Sequence, residues 1–219
     1  MYSFAQRNDT RVVDEPFYSV YLTRSGANHP GREDVLRTQS PDEKVVKAQL
    51  KGIHTAVLFI KNMSHHMEVM DEPLIENAID IFLIRDPRQI IASYAQVIAQ
   101  PVMRDIGIEY QYKLFTELKK KGKDPVVIDS GLLLENPSTV LNLLCQRCAI
   151  GFQPEMLKWN AGPKEYDGVW AAHWYANVHS STGFQKQSTS SRPLPSHLSP
   201  LYHQAKGYYE KILPFSLKA

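Results

Sequence analysis

The run Phe82-Leu83-Ile84-Arg85-Asp86-Pro87-Arg88-Gln89-Ile90-Ile91-Ala92-Ser93-Tyr94 sets an arginine between an apolar strand pattern and a helix pattern, with a serine eight residues further on. A buried strand would deliver Arg85 to its carboxyl end, where ligands of open α/β sheets bind. An arginine fork beside a helix N-terminus suits a phosphate, because the guanidinium and the oriented amides both favour an anion. The same residues allow a plainer use, with Arg85 paired to a surface carboxylate and Ser93 packed as a small helix residue. Cys145 and Cys148 form a C-x-x-C within a helical pattern. A redox dithiol belongs at a helix N-terminus, and a zinc site needs a second ligand pair that the sequence lacks. Small apolar helix residues are their expected role.

These residues need a scaffold, and the alternation of apolar runs with helical patterns supplies one. Strands are expected over 11–14, 56–60, 79–84 and 125–129, each nearly all apolar and therefore covered on both faces. Helices are expected over 87–98, 109–121, 137–149 and 201–213. Asp86 is placed to cap the first of these and Pro87 to open it. Residues 1–6 read as the end of a helix with nothing before it. From Gly151 onward aromatics and turn residues crowd together, and 188–200 is a serine- and proline-rich link. The expected organisation is an α/β domain over 1–187 followed by the link and a C-terminal helix over 188–219.

The chain of 219 residues is 43% hydrophobic and 22% charged, enough to bury a core. A net charge of +2 leaves no broad electrostatic footprint for duplex nucleic acid. The apolar runs are too short to cross a bilayer and the first thirty residues show no secretory pattern. The expectation is a soluble cytoplasmic protein with no nucleic-acid or membrane partner.

The pattern R-[DN]-P-x-x-x-x-x-S after a hydrophobic strand resembles the 3′-phosphate motif of sulfotransferases that use 3′-phosphoadenylyl sulfate (PAPS). Two further segments agree in order and spacing. Met1-Tyr2-Ser3-Phe4-Ala5-Gln6-Arg7 followed by Val12-Val13-Asp14-Glu15-Pro16-Phe17 resembles the first helix and second strand of a sulfotransferase-like P-loop family. Trp170-Ala171-Ala172-His173-Trp174-Tyr175, then His179-Ser180-Ser181-Thr182-Gly183-Phe184, is similar to its C-terminal block. Plant proteins named branched-chain-aminotransferase-like share this resemblance. It implies a three-layer P-loop-like α/β fold with a mainly parallel sheet flanked by helices.

The resemblance further implies transfer of a sulfonyl group from PAPS, as donor co-substrate and without a metal, to the hydroxyl or amine of a small-molecule acceptor. Arg85 and Ser93 would then grip the nucleotide 3′-phosphate, and Ser181, Thr182 and Gly183 would offer hydroxyl and backbone donors to phosphate. Glu15, following the strand residues Val12 and Val13, is the first candidate base. His65 and His66 are its rivals, and two adjacent histidines on a strand would not both face one cleft. Lys61 would stabilise the bridging oxygen of the leaving group. Trp170, Trp174 and Tyr175 would wall an acceptor pocket, stack on adenine, or pack a core.

In that family a loop between the first strand and first helix cradles the 5′-phosphosulfate. It would precede Met1, and no G-x-x-x-x-G-K-[ST] occurs in the chain. The corresponding expectation is open strand edges, and a chain that is poorly stable or has the opening filled by another element. Two other functions stay open: a non-catalytic nucleotide-binding domain, and a P-loop hydrolase or kinase, which would require Mg²⁺ and a Walker lysine.

Overall fold

The computed structural model describes residues 1–72, 75, 77–185 and 193–218. The described chain divides into two compact units, Met1–Glu76 with Gln153–Phe184 and Asn77–Phe152 with Gln185–Ala219. The boundary expected between 187 and 188 lies outside the described residues, as does the first part of the 188–200 link.

In the first unit β1 (Thr10–Asp14) pairs in parallel with β2 (Val57–Lys61), in the register Thr10↔Val57 through Asp14↔Lys61. Helices Tyr18–Ser25, Arg32–Thr38 and Glu43–Lys51 form the crossover between them, as parallel pairing demands. The Glu43–Lys51 helix follows ordinary rules. Asp42 caps it through the Lys44 amide, an acid opens it, a lysine closes it, and Val46 and Leu50 bury one face. The Tyr18–Ser25 helix is rich in β-branched and aromatic residues and forms because Tyr18, Val20, Tyr21 and Leu22 are buried. Its inner side joins Val35 and Trp170 in one cluster. The expected helix end over 1–6 is a single 3-10 turn, Phe4–Gln6, with Phe4 stacked on Phe59 at 4.2 Å.

In the second unit β3 (Ile81–Ile84) and β4 (Val126–Asp129) are also parallel, with Ile84 opposite Asp129. Pro87–Tyr94 begins as the sequence requires, with the Asp86 carboxylate accepting from the Arg88 amide and Pro87 in the first turn. It ends at Tyr94, four residues earlier than expected, and bonds from Gln96, Val97 and Ile98 continue it as turns. Helices Ile108–Lys120, Pro137–Arg147 and Ser199–Ile212 match their expected positions closely. Cys145 is buried in the second of these, and burial pushes the Cys148 thiol up, away from thiolate character.

The expectation that all four strands are covered on both faces needs correction. Only β4 is buried throughout. The residues of β2 are half-buried and Leu83 of β3 is 55% exposed. Among the described residues the strands form two separate two-stranded sheets, and β4 is enclosed by the Pro137–Arg147 helix and the Leu213–Phe215 turn packed against it. None of the described helices is long and apolar enough to cross a membrane.

Candidate functional site

The parallel register sets Asp14 and Lys61 side by side at the carboxyl ends of β1 and β2. The Glu15 amide extends the ladder by one bond to the Lys61 carbonyl, at 2.7 Å. Glu15 then takes φ +39°, one of three non-glycine residues with positive φ among the described residues. That region is costly for a side chain with a Cβ and is held only where surrounding contacts over-determine it. On a continuing strand Asp14 and Glu15 would point to opposite faces. The turn at Glu15 instead brings both carboxylates to one cation. Lys61 Nζ pairs with Glu15 Oε1 and lies 3.4 Å from Asp14 Oδ1.

A phenol completes the group. Lys61 Nζ donates to the Tyr175 hydroxyl at 2.7 Å. That hydroxyl lies 2.8 Å from both Asp14 oxygens and 3.4 Å from Glu15 Oε1, so its single proton is shared mainly with Asp14. The Gly168 amide donates to Asp14 Oδ2 at 3.2 Å. Both carboxylates are almost fully enclosed, whereas Lys61 retains a quarter of its side-chain exposure. Burial raises the Glu15 carboxyl, with Lys61 pulling it down and Asp14 pushing it up. Burial, then Glu15 and Asp14, raises the Tyr175 phenol, which stays protonated. The arrangement can hold a proton at Glu15 and a positive charge beside it.

His65 and His66 lie in the helical turn Ser64–Met67 and are both buried. Strand alternation therefore does not govern them. His66 stacks on Tyr18 at 4.3 Å and on Tyr21 at 4.8 Å. Its Nδ1 is 3.7 Å from Glu15 Oε2, beyond a hydrogen bond. Burial first, then His65, Lys61 and His29, pushes His66 well below its ordinary range, so it is neutral. His65 packs edge-on to Tyr21 at 5.0 Å. His66 is thus a neighbour of the Glu15 group.

A second network was not legible beforehand. Tyr2 donates its hydroxyl to Asp167 at 2.7 Å, and His179 Nε2 lies 2.9 Å from the same carboxylate. Asp14, Asp167, Gly168 and Trp170 help line an open cleft of about 710 Å³ that runs along β1. Asp14, not Glu15, lines it. Trp170 is also part of the buried cluster, and Tyr175 serves the Lys61 group. Ser181 accepts from the Trp159 indole at 3.1 Å, the Thr182 carbonyl accepts from the Trp159 amide, and Gly183 bridges Lys158. These three residues therefore anchor the Leu157–Trp159 segment. A Cβ on Gly183 would stand 2.9 Å from the Leu157 carbonyl oxygen.

In the second unit Arg85 leaves the carboxyl end of β3. Its Nε donates to Gln89 Oε1 at 3.0 Å. Gln89 and Ser93 are four residues apart in one helix and share a face, and Gln89 meets the guanidinium from that face. Among the described residues no group of three or more histidines, cysteines or acids is set to hold a metal ion. The signals that were available for the missed residues were slight: Asp14 is the acid next to Glu15, Tyr2 and Asp167 are distant in sequence, and Tyr175 was expected at a pocket wall, on adenine or in a core and not beside Lys61.

A family model described as a sulfotransferase domain matches residues 1–212. Two Arabidopsis thaliana proteins are similar over 89% of this chain. Branched-chain-amino-acid aminotransferase-like protein 1 is 38% identical over 198 residues, and protein 2 is 34% identical over 198 residues. The chain spans about a third of the length of these relatives, 36% and 35% respectively. Among solved structures, the sulfotransferase domain from the Synechococcus PCC 7002 olefin synthase has a TM-score of 0.52 at 13% identity, with 87% of this chain and 73% of that chain covered. The sulfotransferase domain from the curacin biosynthetic pathway has a TM-score of 0.43 at 13% identity, with 90% and 78% covered. The first of these shows a shared fold.

Proposed function

Since this chain belongs to the sulfotransferase-domain family, we propose that it transfers a sulfonyl group from PAPS to the hydroxyl or amine of a small molecule. The observation that carries the mechanism is the enclosed Glu15–Lys61 pair at the carboxyl ends of two parallel strands. In this reading the acceptor oxygen or nitrogen attacks sulfur in line. The bond from sulfur to the bridging phosphate oxygen breaks as the new bond forms. The acceptor proton passes to Glu15, whose burial raises its affinity for it. Lys61 offsets the charge that develops on the leaving oxygen, and adenosine 3′,5′-diphosphate departs with the electron pair. Tyr175 and Asp14 hold Lys61 in place. His66, neutral and stacked, supports the Glu15 side as a packing residue.

Arg85 and Ser93 are assigned the nucleotide 3′-phosphate, supported by the common helix face described above. Of Ser181, Thr182 and Gly183, the last two are kept as further phosphate contacts, because the Ser181 amide and hydroxyl both donate to the Val178 carbonyl and the hydroxyl oxygen accepts from Trp159. The parallel pairing of both sheets supports the finer assignment to a three-layer, P-loop-like fold.

The test is transfer of label from ³⁵S-labelled PAPS to a panel of phenols, alcohols and amines, with release of adenosine 3′,5′-diphosphate followed in parallel. Labelled product from the parent chain and at least a hundredfold less from a folded Glu15→Gln variant is expected. A panel without product, or an unimpaired Glu15→Gln variant, removes the mechanism.

A further inference from the structure

The C-terminal helix Ser199–Ile212 packs on both Pro87–Tyr94 and Ile108–Lys120, with Ala205 and Ile212 fully buried. From this helix the Tyr209 hydroxyl donates to Asp129 Oδ2 at 2.9 Å. Asp129 ends β4 and stands opposite Ile84, which ends β3. Arg85 is the next residue. The Tyr209 phenol is therefore fixed at the same carboxyl edge from which Arg85 emerges. Lys206 precedes Tyr209 by three residues and neighbours it on one helix face.

The surrounding charges are arranged to leave a cation available. Asp86 accepts from the Arg88 amide, and Asp129 accepts from the Leu132 amide as well as from Tyr209. Among the described residues Lys206 pairs with Glu210, at 3.3 Å, with both partners about half exposed. Such exposed pairs are weak and exchange readily for another anion. The Lys206 ammonium is raised chiefly by Glu210 and the Tyr209 phenol chiefly by burial, and the Asp86 charge adds to both. Both side chains are therefore within electrostatic reach of the Asp86–Pro87 turn.

We propose that Lys206 supplies a second cation to the phosphate site of Arg85 and Ser93, with Tyr209 fixing the helix that presents it. The ligand is a phosphate monoester on a nucleotide ribose. The inference rests on the nucleotide reading of Arg85 and Ser93 given above.

Calorimetric titration of the whole chain with adenosine 3′,5′-diphosphate, with 5′-AMP as control, tests it in the parent, Arg85→Ala and Lys206→Met. Lys206 is exposed, so its variant should fold, which circular dichroism checks. Expected are a five- to tenfold loss of diphosphate affinity in Lys206→Met, a shallower salt dependence, and unchanged 5′-AMP binding. Diphosphate affinity within twofold of the parent, while Arg85→Ala loses tenfold or more, overturns the Lys206 assignment and leaves the nucleotide reading intact. Equal losses for both nucleotides also overturn it, because Lys206 would then act on charge in general. Absent diphosphate binding, or binding that ignores Arg85→Ala, overturns both readings.

Discussion

The Tyr175 hydroxyl lies 2.7 Å from Lys61 Nζ, joining residues 114 positions apart. It takes a hydrogen bond from the ammonium and gives its own to Asp14. Removing the oxygen leaves Asp14 one donor short and Lys61 one acceptor short in a nearly closed site. Buried groups left without partners cost about 1–3 kcal/mol each. Tyr175→Phe is therefore expected to lose about 2 kcal/mol in urea unfolding. A variant as stable as the parent would show that water replaces the hydroxyl.

Lys61 is the only cation paired with Asp14 or Glu15 among the described ion pairs. Lys61→Met would leave two enclosed carboxylates facing one another, a change that costs on the order of 3 kcal/mol when a buried pair is broken. With the ammonium gone, Glu15 rises further, because the pull of Lys61 on it is lost while burial and Asp14 remain. The variant should accordingly be least stable near neutrality and recover part of the loss as pH falls and Glu15 protonates. Unfolding free energies at pH 7.5 and pH 5.5 check this, and a loss independent of pH would contradict it.

How much of this was legible follows from the range of each interaction. The four strands were readable because runs such as Val126-Val127-Ile128 are short, apolar and β-branched, and Asp86–Pro87 marked a helix start by local chemistry alone. Glu15 and Lys61 were readable as separate strand-end residues. Their pairing depends on the parallel register and on the backbone reversal at Glu15, and no local pattern contains either. The Tyr18–Ser25 helix was missed because its own residues favour strands, and tertiary burial overrides them. The Glu43–Lys51 helix was missed as well, although Asp42 and the Val46–Leu50 spacing carry ordinary helix signals. Tyr175 and Asp14 stand 161 positions apart, and only the folded chain shows them together.

His66 makes stability fall with acid. Its folded-state affinity for protons is depressed below the ordinary value of 6.5, so the unfolded chain binds the proton first. The groups facing it are Glu15, His65, His29 and Lys61, and Glu15 is the one anion among them. Stability is full above pH 6.5 and declines below it. His66→Phe keeps the ring between Tyr18 and Tyr21 and removes the titration. Between pH 6.5 and 5.5 the parent should lose about 1 kcal/mol more than the variant. Parallel losses would mean that His66 takes up its proton within the fold.

Glu43 ties the crossover helices to the segment after His66. Its enclosed carboxylate accepts from Arg24 at 2.9 Å and from the Asp71 and Glu72 amides at 3.0 and 3.3 Å, and pairs with Lys47 at 2.8 Å. Burial opposes the charge, yet the bonds from Lys47 and the two amides prevail and hold the carboxyl down at about 2. A depressed carboxylate stabilises the fold above the unfolded value of 4.5 and loses that contribution as pH falls towards about 2. Glu43→Gln keeps the shape and removes the charge, at a cost of about 2 kcal/mol near neutrality. The gap between parent and variant should be constant from pH 7 to pH 5 and should shrink at pH 4 and again at pH 3. A gap that stays unchanged at pH 3 would assign the effect to the amide's geometry instead of the lost charge.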